Sequence, residues 1–348
     1  MKKYLVTGGA GFIGANFILY MLNKYKDIEI INLDKLTYAG NKENLQSVEN
    51  TKRYTFFKGD ICDKKLVSSL FKKYNINYVV HFAAESHVDR SIIEPEIFAK
   101  TNILGTVNML NCAKNAWETE NGFKEGVKFI HISTDEVYGS LGNEGFFTET
   151  TSLDPHSPYS SSKAASDLMV KAYYDTYKMP VNITRSSNNY GPFQFPEKLI
   201  PLLISNCLKH KELPIYGDGL NIRDWLYVED HVKAIDMIIN KGKLGQVYNI
   251  GGNNERTNIE IAKTIISYIN ENVDSGVTYN LIKYVEDRKG HDRRYAIAPD
   301  KIKSELGWYP ETTFEVGIRR TIKWYIDNYK VLNYKVPGTV EKRIEMKI

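Results

Sequence analysis

In the stretch HISTDEVYG (131–139), Asp135 and Glu136 stand side by side directly after an apolar run. Adjacent carboxylates repel, and burying either one unpaired is costly, so most local structures would avoid the pair. Acid–base chemistry would use it: one carboxyl kept neutral as a proton donor, its neighbour ionised as a base. Close like charges raise one pKa of such a pair and supply that split. Which residue holds the proton is left open, and the plain alternative is two solvated loop acids or caps. A second pair lies in SPYSSSK (157–163), where Tyr159 and Lys163 are four residues apart and share one helix face. Ser157 suits the N-cap and Pro158 the first helical position. A phenol of pKa ~10 is too weak a base at neutral pH, but a neighbouring ammonium and the positive helix end both favour the phenolate. Thr134 is available to bond a substrate oxygen. Alone, Tyr-x-x-x-Lys is a common and mostly structural pattern.

VTGGAGFIG (6–14) places Gly8, Gly11 and Gly14 between a β-rich run and a helix bearing Phe12, Ile13, Phe17 and Leu22. Such glycines permit a tight turn and let a pyrophosphate reach free N–H groups at the helix N-terminus. The spacing is G-x-x-G-x-x-G, so the motif alone is weak, and a plain strand–helix turn competes with it. Asp34 supplies the context, since it ends the second β-rich run 20 residues after Gly14. A carboxylate there bonds the ribose hydroxyls and repels a 2′-phosphate, which favours NAD over NADP, although Lys35 slightly weakens the exclusion. Asp60 ends the third run and reads equally as an adenine contact or as the N-cap of a helix from about 63. FAAESH (82–87) ends the fourth and faces the same crevice.

These groups need elements to position them. β-rich runs at 3–7, 28–33, 53–58, 78–84, 127–133 and 181–186 alternate with helical segments. Continuous apolar strands separated by helices predict a doubly wound α/β fold, a parallel sheet covered on both faces. After about 188 the pattern changes: loops rich in Pro, Gly and aromatics alternate with helices near 197–209, 229–241, 257–272 and 313–328. This gives an expected division into a dinucleotide-binding domain (1–187), a smaller C-terminal α/β substrate-binding region (188–330) and an irregular tail (331–348). The helix and strand near 228–250 could return to the first domain. The chain has 348 residues, 42% of them hydrophobic and 25% charged, with a net charge of +4 and no basic block. That argues for neither nucleic acid nor a membrane surface. Cys62, Cys112 and Cys207 have no metal-ligand spacing, so no metal is expected, and with no leader or membrane-span pattern the expected location is cytoplasmic.

Taken together, TGGAGFIG, AAESHVDRS, STDEVYG, SPYSSSK, SNNYGP and EKLIPL resemble the extended short-chain dehydrogenase/reductases. Adding PIYGDGLNIRDWLYVEDH and DRKGHDRRYAI narrows the resemblance to the dTDP-glucose 4,6-dehydratases, from residue 1 to about 328. Lys289 stands where that family usually has Pro, and Ser161 where it has Ala. The resemblance implies a Rossmann-type domain, a hydro-lyase activity on dTDP-glucose with NAD regenerated, and a homodimer. Helices near 95–118 and 158–178 could form its interface or pack on the sheet. Tyr159, Lys163, Thr134, Asp135 and Glu136 are the implied catalytic set, with Tyr159 taking the C4 hydroxyl proton, Glu136 the C5 proton and Asp135 protonating the C6 hydroxyl. Neighbours in an extended stretch point to different sides, so the two acids can reach two atoms of one sugar.

The implied cofactor contacts are Gly8, Gly11, Phe12, Ile13, Gly14, Asp34, Lys35, Leu36, Thr37, Asp60, Ile61, Phe82, Ala83, Ala84, Ser86, Thr101, Tyr159, Lys163 and Asn189. The substrate contacts are Ser86, His87, Thr134, Asn188, Glu197, Lys198, Leu199, Pro214, Ile215, Tyr216, Arg223, Asn258, Asp287, Arg288 and His291. A nucleoside diphosphate wants cations and an aromatic face, which Lys198, Arg223, Arg288 and Tyr216 offer. Taken alone, His87 and His291 read as structural, and Trp225 and Tyr227 as core. The rival readings are a sugar-nucleotide 4-epimerase, which has no use for the acid pair, a GDP-mannose-type 4,6-dehydratase, and a non-catalytic NAD-binding protein.

Overall fold

Alternating strand and helix segments assemble around one seven-stranded parallel sheet in the computed structural model, which describes residues 1–287 and 291–328. Its strands are β1 (Lys2–Thr7), β2 (Ile28–Asp34), β3 (Tyr54–Lys58), β4 (Tyr78–His81), β5 (Lys128–Thr134), β6 (Val181–Ser186) and β7 (Val247–Ile250). Their spatial order is β7-β6-β5-β4-β1-β2-β3. Successive residues of a strand face opposite sides, and both sides here are apolar. Tyr4, Val6, Ile30 and Ile130 join one core cluster, while Leu5, Ile31, Val79 and Phe129 join the other. Helices Phe12–Lys24 (α1) and Val228–Lys241 cover the first face. Lys64–Tyr74 (α2), Thr106–Trp117 (α3) and Pro158–Tyr177 (α4) cover the second. The architecture is the Rossmann-type doubly wound α/β fold. Its strand order reverses between β1 and β4, which opens a crevice beyond their carboxyl ends.

The last strand to join comes from far along the chain. β7 pairs with β6 from Val247↔Ile183 to Ile250↔Ser186, so the 228–250 segment returns to the first sheet. The remaining chain builds a third core from helices Leu199–Leu208, Asn258–Asn272 and Phe314–Asn328. A three-stranded sheet of Asn188–Tyr190, Ile222–Tyr227 and Glu255–Thr257 packs with it.

Three local expectations change. The fourth strand stops at His81, because Phe82–Ala84 turn away to line the crevice. The segment near 95–118 is not one α-helix: Pro95–Phe98 runs into a π-helical stretch, Ala99–Gly105, before α3. Asp60 is not the cap of α2. That role belongs to Asp63, whose carboxylate accepts from Leu66 N at 3.0 Å, while Asp60 accepts from Cys62 N and pairs with Lys35 Nζ at 2.8 Å. The 331–348 tail, Arg288 and Lys289 lie outside the described residues. Asp63→Ala is expected to lower the unfolding free energy by about 1 kcal/mol in denaturant titration, and Asp63→Ser to retain most of it.

Candidate active site

The crevice begins where β1 ends. Gly8 holds a left-handed φ of +69°, and a Cβ there would lie 2.6 Å from Ala83 N. A Cβ on Gly14, in the first turn of α1, would lie 2.4 Å from Gly8 O. Both positions therefore require glycine, which leaves a backbone cradle at a helix N-terminus shaped for a pyrophosphate. At the end of β2 the buried Asp34 carboxylate accepts from Ala10 N and Leu36 N at 2.9 and 2.8 Å. Each oxygen keeps a second lone pair for a ribose hydroxyl. These residues fit a bound dinucleotide.

Further along the crevice, β5 ends at Thr134 and the chain winds into a tight 3₁₀ turn, Asp135–Tyr138. The acid pair is thus on a turn and not in extended chain, as the residue spacing had implied. Thr134 organises it: its hydroxyl accepts from Glu136 N and donates to Asp135 Oδ1, both at 3.3 Å, and its presence near the Tyr159 phenol favours the phenolate. Asp135 is 2% exposed, and its Oδ2 has no hydrogen-bond partner among the described residues. Burial raises its pKa well above the ordinary carboxyl value, with the charges of Glu136 and Asp224 adding to the effect and Arg223 opposing it. Desolvation therefore leads, and like-charge repulsion is the smaller contribution.

α4 begins with a reciprocal cap: Ser157 Oγ accepts from Ser160 N and Ser160 Oγ from Ser157 N, both at 3.0 Å. This fixes the first turn, where Tyr159 sits beside Thr134. Burial and then the charge of Glu136 push the Tyr159 phenol above its ordinary value. Lys163 Nζ donates to Ile132 O at 2.7 Å, and burial pulls its pKa down to about 8. In the chain by itself burial leads at the phenol, and Lys163 is not among its largest influences.

One continuous cleft runs from the glycine turn past Asp34 to Thr134, Asp135, Glu136, Tyr159 and Lys163. A model of the family described as GDP-mannose 4,6 dehydratase matches residues 5–321. The dTDP-glucose 4,6-dehydratase of Shigella flexneri is 51% identical, with 99% of this chain and 98% of that protein covered. The crystal structure of the dTDP-glucose 4,6-dehydratase of Bacillus anthracis in complex with NAD superposes with a TM-score of 0.85. It is 49% identical and covers 95% of this chain and 98% of its own. The Streptomyces venezuelae dTDP-glucose 4,6-dehydratase with NAD and TYD bound gives a TM-score of 0.88 at 44% identity, covering 95% and 99%. This chain belongs to the dTDP-glucose 4,6-dehydratases.

Of the residues that membership in the dTDP-glucose 4,6-dehydratases had marked for the cofactor, all but Leu36 line the cleft. Leu36 instead takes a left-handed φ of 54° and gives its N–H to Asp34. Ser86, Asn188, Glu197 and Lys198 also line it, and Lys198 Nζ donates to Ser86 O at 3.0 Å. His87 stands just behind, 3.6 Å from Glu197, and Leu199 starts the following helix. Pro214, Ile215, Tyr216, Asn258, Asp287 and His291 lie outside the lining. Residues 214–216 pair with 283–285, and His291 pairs with Asp287, so this group gathers on the second region. Arg223 joins the two groups: it is 9% exposed, stacks 4.4 Å over the Tyr295 ring, and faces Asp135 and Glu136.

Sequence reasoning missed Ser133, Ser186, Gln194 and Phe195, all of which line the cleft, as does Glu85 of the FAAESH stretch. Their places at or just beyond strand ends were the signal for Ser133 and Ser186; no local pattern marks Gln194 or Phe195. Among the described residues no cluster of His, Cys, Asp or Glu could hold a metal ion, and no helix is long and apolar enough to cross a membrane.

A carboxyl with a raised folded-state pKa binds its proton more tightly in the folded chain than in the unfolded one. Stability is then lost as pH rises from the ordinary value of 3.8 through the raised one. Asp135→Asn is expected to raise Tm by about 1–3 °C at pH 8, and by less at pH 5, while abolishing turnover. Differential scanning calorimetry at the two pH values checks this.

Proposed function

We propose that the chain converts dTDP-glucose to dTDP-4-keto-6-deoxyglucose and water. The observation that carries the reading is the buried Asp135 carboxyl, tied through Thr134 to Glu136 and sharing with Tyr159 the cleft that starts at the glycine turn. When bound, NAD supplies a hydride acceptor at C4 and gives the same hydride back at C6. Tyr159 takes the C4 hydroxyl proton as hydride leaves, with Thr134 holding the oxygen. The C4 ketone acidifies the C5 proton, which Glu136 removes, and Asp135 protonates the departing C6 hydroxyl. C5 is reprotonated as hydride returns to C6.

Opposed protonation of the two acids is what this sequence needs. Burial, which raises the Asp135 pKa well above the ordinary carboxyl value, favours the donor half. A 4-epimerase uses only the C4 step and would carry the Asp135 desolvation cost to no purpose. For the nucleotide, Asn188, Glu197 and Lys198 serve the sugar end within the cleft. Arg223, Pro214, Ile215, Tyr216, Asn258, Asp287 and His291, with Arg288, serve the diphosphate and base across the second region. Thymine as the base rests on the names of the relatives. Residues 1–187 with 228–250 then act as the dinucleotide-binding unit and the rest of 188–328 as the nucleotide-sugar unit.

A homodimer is part of the same reading, since Leu104, Leu168 and Tyr177 expose apolar surface on the two helical segments marked for it, as do Ile92 and Ile93 on the short helix just before the first. A cytoplasmic location agrees with the unpaired state of Cys62, Cys112 and Cys207.

dTDP-glucose deuterated at C4 is expected to give product labelled at C6, and reaction in heavy water to place solvent deuterium at C5. A galactose-configured product would hand the case to the epimerase. Glu136→Gln should still form NADH absorbance on mixing with substrate but lose at least about 100-fold in product formation. Dehydration at the normal rate by this variant would remove Glu136 as the C5 base.

A further inference from the structure

Behind Lys163 lies a group of buried charged and titratable side chains that do not line the cleft. Asp167, 1% exposed, follows Lys163 by one turn on the same face of α4. Arg185 on β6 donates through Nε to Asp167 Oδ2 at 2.8 Å, and His131 on β5 places Nε2 3.4 Å from Oδ1. His81 on β4 has its ring centroid 5.6 Å from that of His131 and its nitrogens against the hydroxyls of Thr7 and Thr106. Tyr159 on α4 and Asp135 and Glu136 on the turn after β5 complete the titratable groups around this end of the sheet.

Burial holds both imidazoles below their ordinary values, His131 at about 4. At neutral pH the charges left on this side are therefore Lys163, Arg185 and the single carboxylate of Asp167, whose pKa lies below the ordinary value even though burial opposes this. Two cations thus converge on one anion. Arg185 also lies 4.7 Å over the ring of Tyr138, the last residue of the 3₁₀ turn that opens with Asp135 and Glu136. A buried ion pair of this kind adds little stability over an apolar replacement of the same shape, so its placement calls for a different role.

We infer that Asp167, clamped by Arg185, is a positioning residue that keeps Lys163 charged on its seat at the Ile132 carbonyl and ties α4 to the acid-pair turn. This rests on the reading of Lys163 as partner of the catalytic phenol, but the decisive readout does not depend on turnover. Burial alone drives a lysine toward neutrality, and Asp167 is the group that opposes it at Lys163. Arg185 fixes the carboxylate where it can do so.

The test is an NMR titration of protein carrying ¹³C at the lysine ε-carbons, with Lys163 assigned from the signal lost in Lys163→Met. In the double variant Asp167→Asn with Arg185→Gln, which removes the ion pair without stranding the arginine, the Lys163 midpoint should fall by about one unit or more. The alkaline limb of the pH–rate profile should move down with it, and Asp167→Glu with Arg185 intact should restore both. A purely structural cluster would change only the unfolding temperature, and unchanged midpoints in the folded double variant overturn the proposal. The unsubstituted protein gives a second measurement: the Asp167 carboxyl carbon must show a chemical-shift step at the Lys163 midpoint. Absence of that step overturns the proposal whether or not the double variant folds. Loss of the deuterium transfer with an intact Lys163 response would instead count against the reaction assigned above.

Discussion

Water is kept away from the Asp135 carboxyl, and the end of the cleft lined by Thr134, Tyr159 and Lys163 depends on that exclusion. The group is covered by its own turn, by the strand carrying Arg223 and Asp224, and by α4 with Tyr159. Without solvent the neutral form is favoured, and a neutral acid can donate a proton. The same exclusion acts on Tyr159 and Lys163 in opposite senses, raising the phenol and lowering the ammonium. One physical cause therefore sets all three toward their uncharged forms. Neighbours then adjust each one: Thr134 opposes burial at the phenol, Asp167 opposes it at the lysine, and Glu136 adds to it at Asp135.

A doubly wound sheet suits this task because its strands end together. β1, β2, β4 and β5 deliver Gly8, Asp34, Ala83 and Thr134 to one rim, so dinucleotide and proton-transfer groups line a single cleft. The interior of the same sheet carries polar groups that a purely apolar core would not need. His81, His131, Asp167 and Arg185 are buried beneath that rim, joined to Thr7, Thr106 and Ser166. Such a network is costly unless nearly satisfied, and when satisfied it holds the strand ends in fixed relation.

Closing the cleft falls to the second region. The segment from Asn188 to Lys198 contributes six lining residues beyond the first sheet, namely Asn188, Asn189, Gln194, Phe195, Glu197 and Lys198, the last of which reaches back to Ser86. Tyr38, from the loop after β2, meets Phe195 edge-on at 5.6 Å and receives the Arg90 guanidinium on its face at 4.5 Å. Aromatic and cation–π contacts of this kind join the dinucleotide side to the sugar side without adding charge to the cleft.

Spacing along the chain was enough to mark Gly8, Gly11, Gly14 and Asp34, the i, i+4 relation of Tyr159 and Lys163, and the alternation of strands that predicts a parallel sheet. All of these are short-range properties, encoded in a turn, a helix repeat or a strand length. Burial is not such a property, because it is made by residues distant in sequence. Only the folded chain showed that Asp135 is driven chiefly by desolvation, that the acid pair sits on a 3₁₀ turn, and that Asp63 takes the cap offered to Asp60. The return of 247–250 to the first sheet and the approach of Arg223 to Glu136 are likewise contacts across more than sixty residues. No local periodicity records such contacts, so Gln194 and Phe195 entered the site unannounced.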